Sequence, residues 1–234
     1  MTNVKLIAIT QPLLTRDGDE IIDYGKQSTM TIDEFIAFVA RVSNPSNQNN
    51  TLTAKKLLKY LIKHKHWSPF EMVNIVVEIN TTRDIGRQIL RHRSFSFQEF
   101  SQRYADPNQL GFVKRETRLQ DNKNRQNSIE LDCSVYKDAK LVADFKQKQN
   151  EVMGYCDRTY KWAIENGIAK EVARAVLPEG LTMSRMYMNG TLRSWIHYCQ
   201  LRMAEGTQKE HREIAKEAWK LIIELFPSLE EVII

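Results

Sequence analysis

Residues 70–104 read FEMVNIVVEINTTRDIGRQILRHRSFSFQEFSQRY, and the hydrophobic period changes twice within them. Val73, Ile75, Val77 and Ile79 recur at every second position, so residues 70–80 read as a strand. Thr81 or Thr82 then stands where a helix N-cap belongs. Asp84 falls in the first turn, where the helix dipole favours an acid, and Ile85 and Ile89 share one face up to Leu90. From Ser94 to Phe100, Phe95 and Phe97 alternate with Ser94, Ser96 and Gln98, which predicts a second strand or extended segment. Strand, helix and strand in direct succession point to an α+β fold. The segment from Thr82 to Tyr104 also holds Arg83, Arg87, Arg91, Arg93, Arg103 and His92 without one lysine. Arginine is the side chain suited to planar, bidentate recognition of phosphate or carboxylate.

Working outward, Val4 to Ile9 reads as a short strand, followed by a turn at Arg16-Asp17-Gly18-Asp19. Thr31 and Glu34 have the spacing of a capping box. The helix they open, with Phe35, Phe38, Val39 and Val42 on its apolar face, should end near Asn44-Pro45. Ser43 to Asn50 is polar. A second helix is expected over 53–63, with Leu57, Leu58, Leu61 and Ile62 inward. Gly111 to Leu119 reads as a further strand, and 120–128, QDNKNRQNS, as an exposed loop. A long helix over 134–165 carries Leu141, Phe145, Val152 and Trp162 and stops at Asn166-Gly167. Shorter helices follow over 170–176 and 191–204, the latter stopped by Gly206. Thr207 and Glu210 form a second capping-box pattern ahead of a last helix that ends at Pro227. No composition break or linker divides the chain, so residues 1–234 read as one domain.

At 234 residues, with 42% hydrophobic and 27% charged residues, the chain can bury a core of ordinary soluble type. A net charge of +5 permits an anionic partner without demanding nucleic acid. Cys133, Cys156 and Cys199 are scattered and odd in number, against a disulfide framework or a cysteine metal site. His64 and His66 lack a third close ligand, and a metal role is outweighed by a polar loop. No apolar run is long enough to span a membrane, the first residues lack a signal-peptide pattern, and a cytoplasmic setting is expected.

No Gly-x-Gly-x-x-Gly, Walker A or Gly-x-Ser-x-Gly pattern is present, so any phosphate must be held by side chains. Arginines supply that alternative. Beyond the opening stretch stand Arg174, Arg193 and Arg202, the last two among Trp195, Ile196 and Leu201. Arg193 and His197 lie four apart on one helical face. Gln88 shares a neighbouring face with Arg91 and offers both a donor and an acceptor, which suits a pyrimidine edge. An RNA- or DNA-binding module would account for the charge and the phenylalanines. It does not account for Glu99 inside the cluster or for the arginines after residue 170. A helical protein without activity leaves the clustering unexplained.

ARVSNP at 40–45, H-x-x-P-F-E at 66–71, R-H-R-x7-S from Arg91 to Ser101 and E-x-S-x-R-Y at 99–104 follow one another in order. R-x-V-L-P at 174–178 and then LRSWIHY, LR and TQKEHREIA from residue 192 onward complete the series. Together these segments resemble the flavin-dependent thymidylate synthases. The resemblance implies a central, largely antiparallel sheet flanked by helices. It implies reductive methylation of dUMP to dTMP, with 5,10-methylenetetrahydrofolate giving the carbon and FAD, reduced by NADPH, giving the hydride. The chain lacks the cysteine motif of the unrelated thymidylate synthases, in keeping with a protein that supplies no nucleophile.

By position, the resemblance makes Ser43, His66, Ser68, Glu71, Arg91, His92, Arg93, Glu99, Thr191, Leu192, Arg193 and His197 flavin ligands. It makes Gln88, Arg91, Glu99, Ser101, Gln102, Arg103, Arg174 and Arg202 dUMP ligands. Some family members carry a histidine where this chain has Gly206, and here that contact is missing. Arg202 is the expected activating residue, a permanent charge beside the uracil ring. Ser101 is expected to bind substrate, because no histidine base is placed to activate it. The resemblance further implies a homotetramer with sites shared between subunits, and the residues themselves give no reason to expect a nucleic acid, membrane or metal partner.

Overall fold

Two strands carry the architecture, and only one of them is announced by its sequence. The computed structural model describes residues 3–17, 19–20 and 28–232. In chain order these form β1 (Asn3–Ile9), α1 (Ile32–Ala40), α2 (Ala54–Lys63), β2 (Asn74–Thr82), α3 (Arg83–Ile89) and β3 (Ser96–Glu99). Then come β4 (Arg118–Gln120), β5 (Ser128–Glu130), α4 (Tyr136–Glu165), α5 (Lys170–Ala173), β6 (Met183–Thr191), α6 (Leu192–Arg202) and α7 (Lys209–Leu225). The main sheet has the order β1-β2-β6-β3 with every neighbour antiparallel, and β4 and β5 make a separate hairpin.

Strand β2 buries Ile75, Val77, Ile79 and Thr81 on one face, the alternation expected of it. It begins at Asn74, four residues later than the apolar pattern suggested. Ser68–Met72 instead form a 3-10 turn with Pro69 as its second residue, whose fixed φ suits the first turn. Strand β6 pairs with β2 from Asn74↔Thr191 to Thr82↔Met183. It buries Ser184, Met186, Met188 and Gly190 and turns Arg185, Tyr187 and Asn189 outward. Residues 183–190 contain no β-branched side chain, so propensity gave no sign of this central strand.

Helices cover the buried face. Trp195 on α6 is fully buried and donates its indole N–H to the Ile75 carbonyl at 3.1 Å, tying the helix to β2. Ile214, Ala215, Ala218, Trp219 and Ile222 of α7 complete the same core with Ile85 and Ile89 of α3. Phe95, Phe97 and Trp195 are core aromatics. Phe95 and Trp195 meet edge to face with centroids 5.0 Å apart, so the phenylalanines form no nucleic-acid stacking surface.

Other expectations need adjustment. The Thr31–Glu34 capping box forms, but α1 stops at Ala40 and buries Ile36 and Ala37, leaving Val42 exposed. The 16–19 turn is closed by the Thr15 amide on the Asp19 carbonyl at 2.9 Å, although Gly18 lies outside the described residues. Within 111–119 only an isolated bridge, Phe112↔Thr182, precedes β4. The 120–128 stretch is the turn of a hairpin, organised by Asp121, which accepts from the amides of Lys123 and Asn124. The Thr207–Glu210 box does not form, and α7 opens at Lys209 after Gln208 without a side-chain cap. Helix α4 forms as expected and closes at Asn166 and Gly167, whose φ is +76°. Yet Leu141, Phe145, Val152 and Trp162 on it are exposed.

Gly190 marks the tightest approach in the sheet, because a Cβ there would stand 2.3 Å from the Phe95 ring. Gly190→Ala must push Phe95 off Trp195. We expect a loss of about 1–3 kcal/mol, read as a lowered thermal midpoint, and an unchanged midpoint would show that the ring moves freely.

Candidate active site

Helix α6 emerges from β6 without a loop. Thr191, the last strand residue, caps it by accepting from the Ser194 amide at 3.2 Å. Helix α3 likewise follows β2 without a loop, at Thr82, but the expected side-chain cap does not form there: the Thr82 hydroxyl donates to Asp84 and accepts from Arg115 instead. Because β2 and β6 are antiparallel neighbours, the two helices leave the sheet at opposite ends. Around each end of α6 a polar cluster collects.

At its N-terminal end, Arg193 pairs with Glu71 from the 3-10 turn, and His197 stands edge-on to Trp67 with centroids 4.7 Å apart. Burial and the Arg193 charge lower the His197 pKa. The Nε of Arg193 is buried with no partner among the described residues. Ser68 and His66 border this cluster in sequence, and both are exposed. Leu192 does not join it: its side chain is fully buried and its amide donates to the Val73 carbonyl at 2.8 Å.

At the C-terminal end, Arg202 donates through Nε to His92 Nε2 at 2.8 Å, so the motif of Arg91 to Arg93 meets the end of α6. A guanidinium can only donate, so His92 offers a lone pair at Nε2 and carries its proton on Nδ1. Burial, then the charges of Arg202 and Arg91, push the His92 pKa down to about 4. Tyr198 lies edge-on to His92 at 4.9 Å. Arg91 and Arg93 are exposed and form no ion pair among the described residues. Ser43 stands apart, exposed beside a cavity of about 470 Å³ lined by Arg41, Asn47 and Tyr60.

Of the remaining expected ligands, Glu99 ends β3 and Ser101, Gln102 and Arg103 follow it, while Arg174 and Gln88 lie on other elements. Glu99 accepts from Ser184 Oγ at 3.0 Å and from Arg87 at 3.1 Å. Ser101 Oγ accepts from the Arg103 amide at 3.4 Å, and Arg103 pairs with Glu171 at 3.2 Å. Gln102 is buried, and its Nε2 has no partner among the described residues. Arg174 is half-buried in the short 3-10 turn after α5. Gln88 on α3 donates to Gln208 Oε1 at 2.8 Å and faces His211 Nδ1 at 3.4 Å. Sequence reasoning passed over His211 and Tyr198. The signal was present, because His211 occupies the apolar stripe of α7 with Ile214, Ala215 and Ala218.

The family described as thymidylate synthase complementing protein matches residues 26–228. The chain is 45% identical over 228 residues to a flavin-dependent thymidylate synthase of Synechocystis, covering 97% of each protein. It is 43% identical over 227 residues to a probable flavin-dependent thymidylate synthase of Paramecium bursaria Chlorella virus 1, covering 97% of this chain and 96% of that one. The chain belongs to the flavin-dependent thymidylate synthase family. The UMP/dUMP methylase PolB of Streptomyces cacaoi, solved with 5-Br dUMP, shares its fold with a TM-score of 0.76 over 99% of this chain and 94% of that one, at 23% identity. The mixed fold with its antiparallel sheet is therefore that of the flavin-dependent thymidylate synthases.

The two imidazoles at the Arg202 end have pH consequences. His92 and His211 both titrate below the ordinary histidine value when folded, at about 4 and about 3, burial being the largest cause in each. The unfolded chain therefore takes up protons first as the pH falls. Their contribution to stability is complete above about pH 6.5 and is lost progressively as the pH drops toward those values. We expect the thermal midpoint of the wild type to fall more steeply from pH 7 to pH 4 than that of His92→Gln, which keeps an acceptor for Arg202. Parallel curves would place His92 in contact with water.

Proposed function

We propose that this chain is an FAD-dependent thymidylate synthase that converts dUMP to dTMP by reductive methylation, as one catalytic domain over residues 1–234. In this reading 5,10-methylenetetrahydrofolate is the carbon donor and NADPH the reductant. The observation that carries it is the Arg202–His92 bond, which joins the Arg91–Arg93 motif to the last turn of α6. Family membership gives the reaction class, and the residues present suit its ligands. Among the described residues, Arg193 has a buried Nε without an acceptor, and Arg91 and Arg93 form no ion pair with a carboxylate. A diphosphate and a planar ring system supply the acceptors such donors lack.

In the proposed site Arg91, His92, Arg93, Arg193 and His197, with Ser68, Glu71 and Thr191, hold the flavin. Bound and reduced, the flavin supplies the hydride. Gln88, Glu99, Ser101, Gln102, Arg103 and Arg174 hold the nucleotide. Arg202 commits its Nε to His92, which leaves its two terminal nitrogens for the pyrimidine. Being permanently charged, it stabilises the ring as negative charge develops there and needs no proton transfer to do so. Ser101 orients the substrate, and no histidine lies within hydrogen-bonding distance of its Oγ among the described residues.

A nucleic-acid surface fits the charges less well. Glu71 faces Arg193, Glu99 faces Arg87 and Glu171 faces Arg103, so carboxylates interrupt the arginines among the described residues. No helix among the described residues is long and apolar enough to cross a membrane. The exposed Phe145 and Val152 border a cavity of about 360 Å³ with Leu181, and Leu141 and Trp162 extend the apolar face of α4. Such a face supports a homotetramer in which further copies of the chain cover it.

The purified protein should be yellow, and its flavin absorbance should bleach when NADPH is added without oxygen. Arg202→Ala is expected to retain flavin while dTMP formation falls by at least about 100-fold, with Arg202→Lys failing to restore it. A rate like that of the wild type would remove Arg202 from the mechanism. A second measurement addresses assembly. Sedimentation should give the tetramer mass, and Phe145→Glu with Val152→Lys should dissociate it, whereas a monomer that keeps its flavin would refute sharing between subunits.

A further inference from the structure

A chain of hydrogen bonds runs from Glu210 at the start of α7 to Tyr198 in α6, and Gln88 is its middle member. The Glu210 carboxylate accepts from Arg118 at 2.7 Å and pairs with Arg115 at 3.4 Å. Burial alone would raise its pKa, but hydrogen bonds and these two arginines hold it below the ordinary value. A carboxylate so held only accepts, so the Gln208 amide must point its NH2 at Glu210, at 3.0 Å. Gln208 then offers Oε1 to Gln88, whose NH2 donates to it at 2.8 Å. The Oε1 of Gln88 is left facing His211 Nδ1 at 3.4 Å, the longest link. An amide oxygen only accepts, so Nδ1 carries the proton. Nε2 of the neutral ring then accepts from the Tyr198 hydroxyl at 3.1 Å. His211 is fully buried, so its ring is closed off from bulk solvent.

We propose that His211 is a positioning residue: with Gln208 it locks the side-chain amide of Gln88 in one of its two orientations, presenting a defined donor and acceptor to the nucleotide. The inference rests on the reading above that Gln88 touches dUMP. A free amide can flip by 180° at little cost, and half its orientations would then offer the wrong group to a ring or sugar edge. Here the carboxylate at one end, which only accepts, gives the whole chain a single direction, and the phenol at the other can donate to match it. Each link is neutral apart from Glu210, so the orientation holds without a buried charge at Gln88. His211 makes its hydrogen bonds to Gln88 and Tyr198, and its ring also lies 6.1 Å from that of His92, so flavin content is followed beside dUMP binding to separate the route through Gln88 from one through His92.

The test is a double-mutant cycle on the flavin-loaded protein, with dUMP binding read by equilibrium dialysis. His211→Leu removes the donor to Gln88 and should raise the dUMP Kd about tenfold, with flavin content unchanged. His211→Asn, whose amide nitrogen takes the place of Nδ1, should stay within about threefold of the wild type. In a Gln88→Ala background His211→Leu should add nothing. Should His211→Leu fail to fold, Tyr198→Phe releases the tautomer from the far side and should weaken dUMP in wild type but not in Gln88→Ala. Nitrogen NMR of labelled histidine should show His211 protonated on Nδ1. Equal weakening in both backgrounds would reduce His211 to a packing residue and overturn the proposal. If Gln88→Ala itself binds dUMP like the wild type, the placement of Gln88 at the nucleotide fails, and the proposal with it. If Gln88→Ala weakens dUMP while folded His211→Leu does not, only the positioning role fails.

Discussion

The antiparallel pairing of β2 with β6 is the constraint on which the rest depends. Each strand passes into a helix with no intervening loop, at Thr82 and at Thr191, so the register Asn74↔Thr191 to Thr82↔Met183 also fixes where α3 and α6 begin. A slip of one residue would turn Ile75, Val77 and Ile79 out of the core and rotate Trp195 away from the Ile75 carbonyl. It would equally carry His92 and Arg202 apart, since each sits just beyond or at the end of a helix launched from this pair. The geometry of the polar clusters is thus inherited from sheet register and needs no flexible segment to assemble it.

Electrostatics then selects the protonation states. Arg202 stands against His92, with His211 close behind it, rings 6.1 Å apart. A second positive charge beside that of Arg202 would be strongly unfavourable, and burial already disfavours it. Both imidazoles are held neutral, and each can serve as an acceptor at Nε2, one for Arg202 and one for Tyr198. Neutral rings have tautomers, and tautomers give hydrogen bonds a direction. The cluster is rigid in polarity as well as in shape.

Much of this was legible in the chain. Alternation at Val73–Ile79 and the helical spacing of Ile85 and Ile89 gave the strand–helix succession, and the run of arginines gave the polar clusters. Strand β6 was illegible because methionine, serine and glycine fill its inward positions. These residues fit there only because Phe95 and the α6 aromatics occupy the space above them. The α7 cap was misread because Gln208 and Glu210 have other partners: Gln88, Arg115 and Arg118 come from distant parts of the sequence. His211 was passed over for a related reason, since its partners Gln88 and Tyr198 become neighbours only after α3, α6 and α7 pack.

Helix geometry bears on how the proposed site is completed. Arg193 and Arg202 are nine residues apart on α6, about 14 Å along the axis. At about 100° per residue they point to opposite sides of it. Their surroundings are separate accordingly: Glu71 and Trp67 flank the first end, His92 and His211 the second. A flat ligand lying along one side of α6 cannot engage both arginines of the same chain with equal directness. Two half-sites facing different directions suit the proposed tetramer, in which a neighbouring copy would complete each one. The exposed apolar face of α4 would serve to hold those neighbours in place, and the division of the arginines would follow from the single straight helix that carries them.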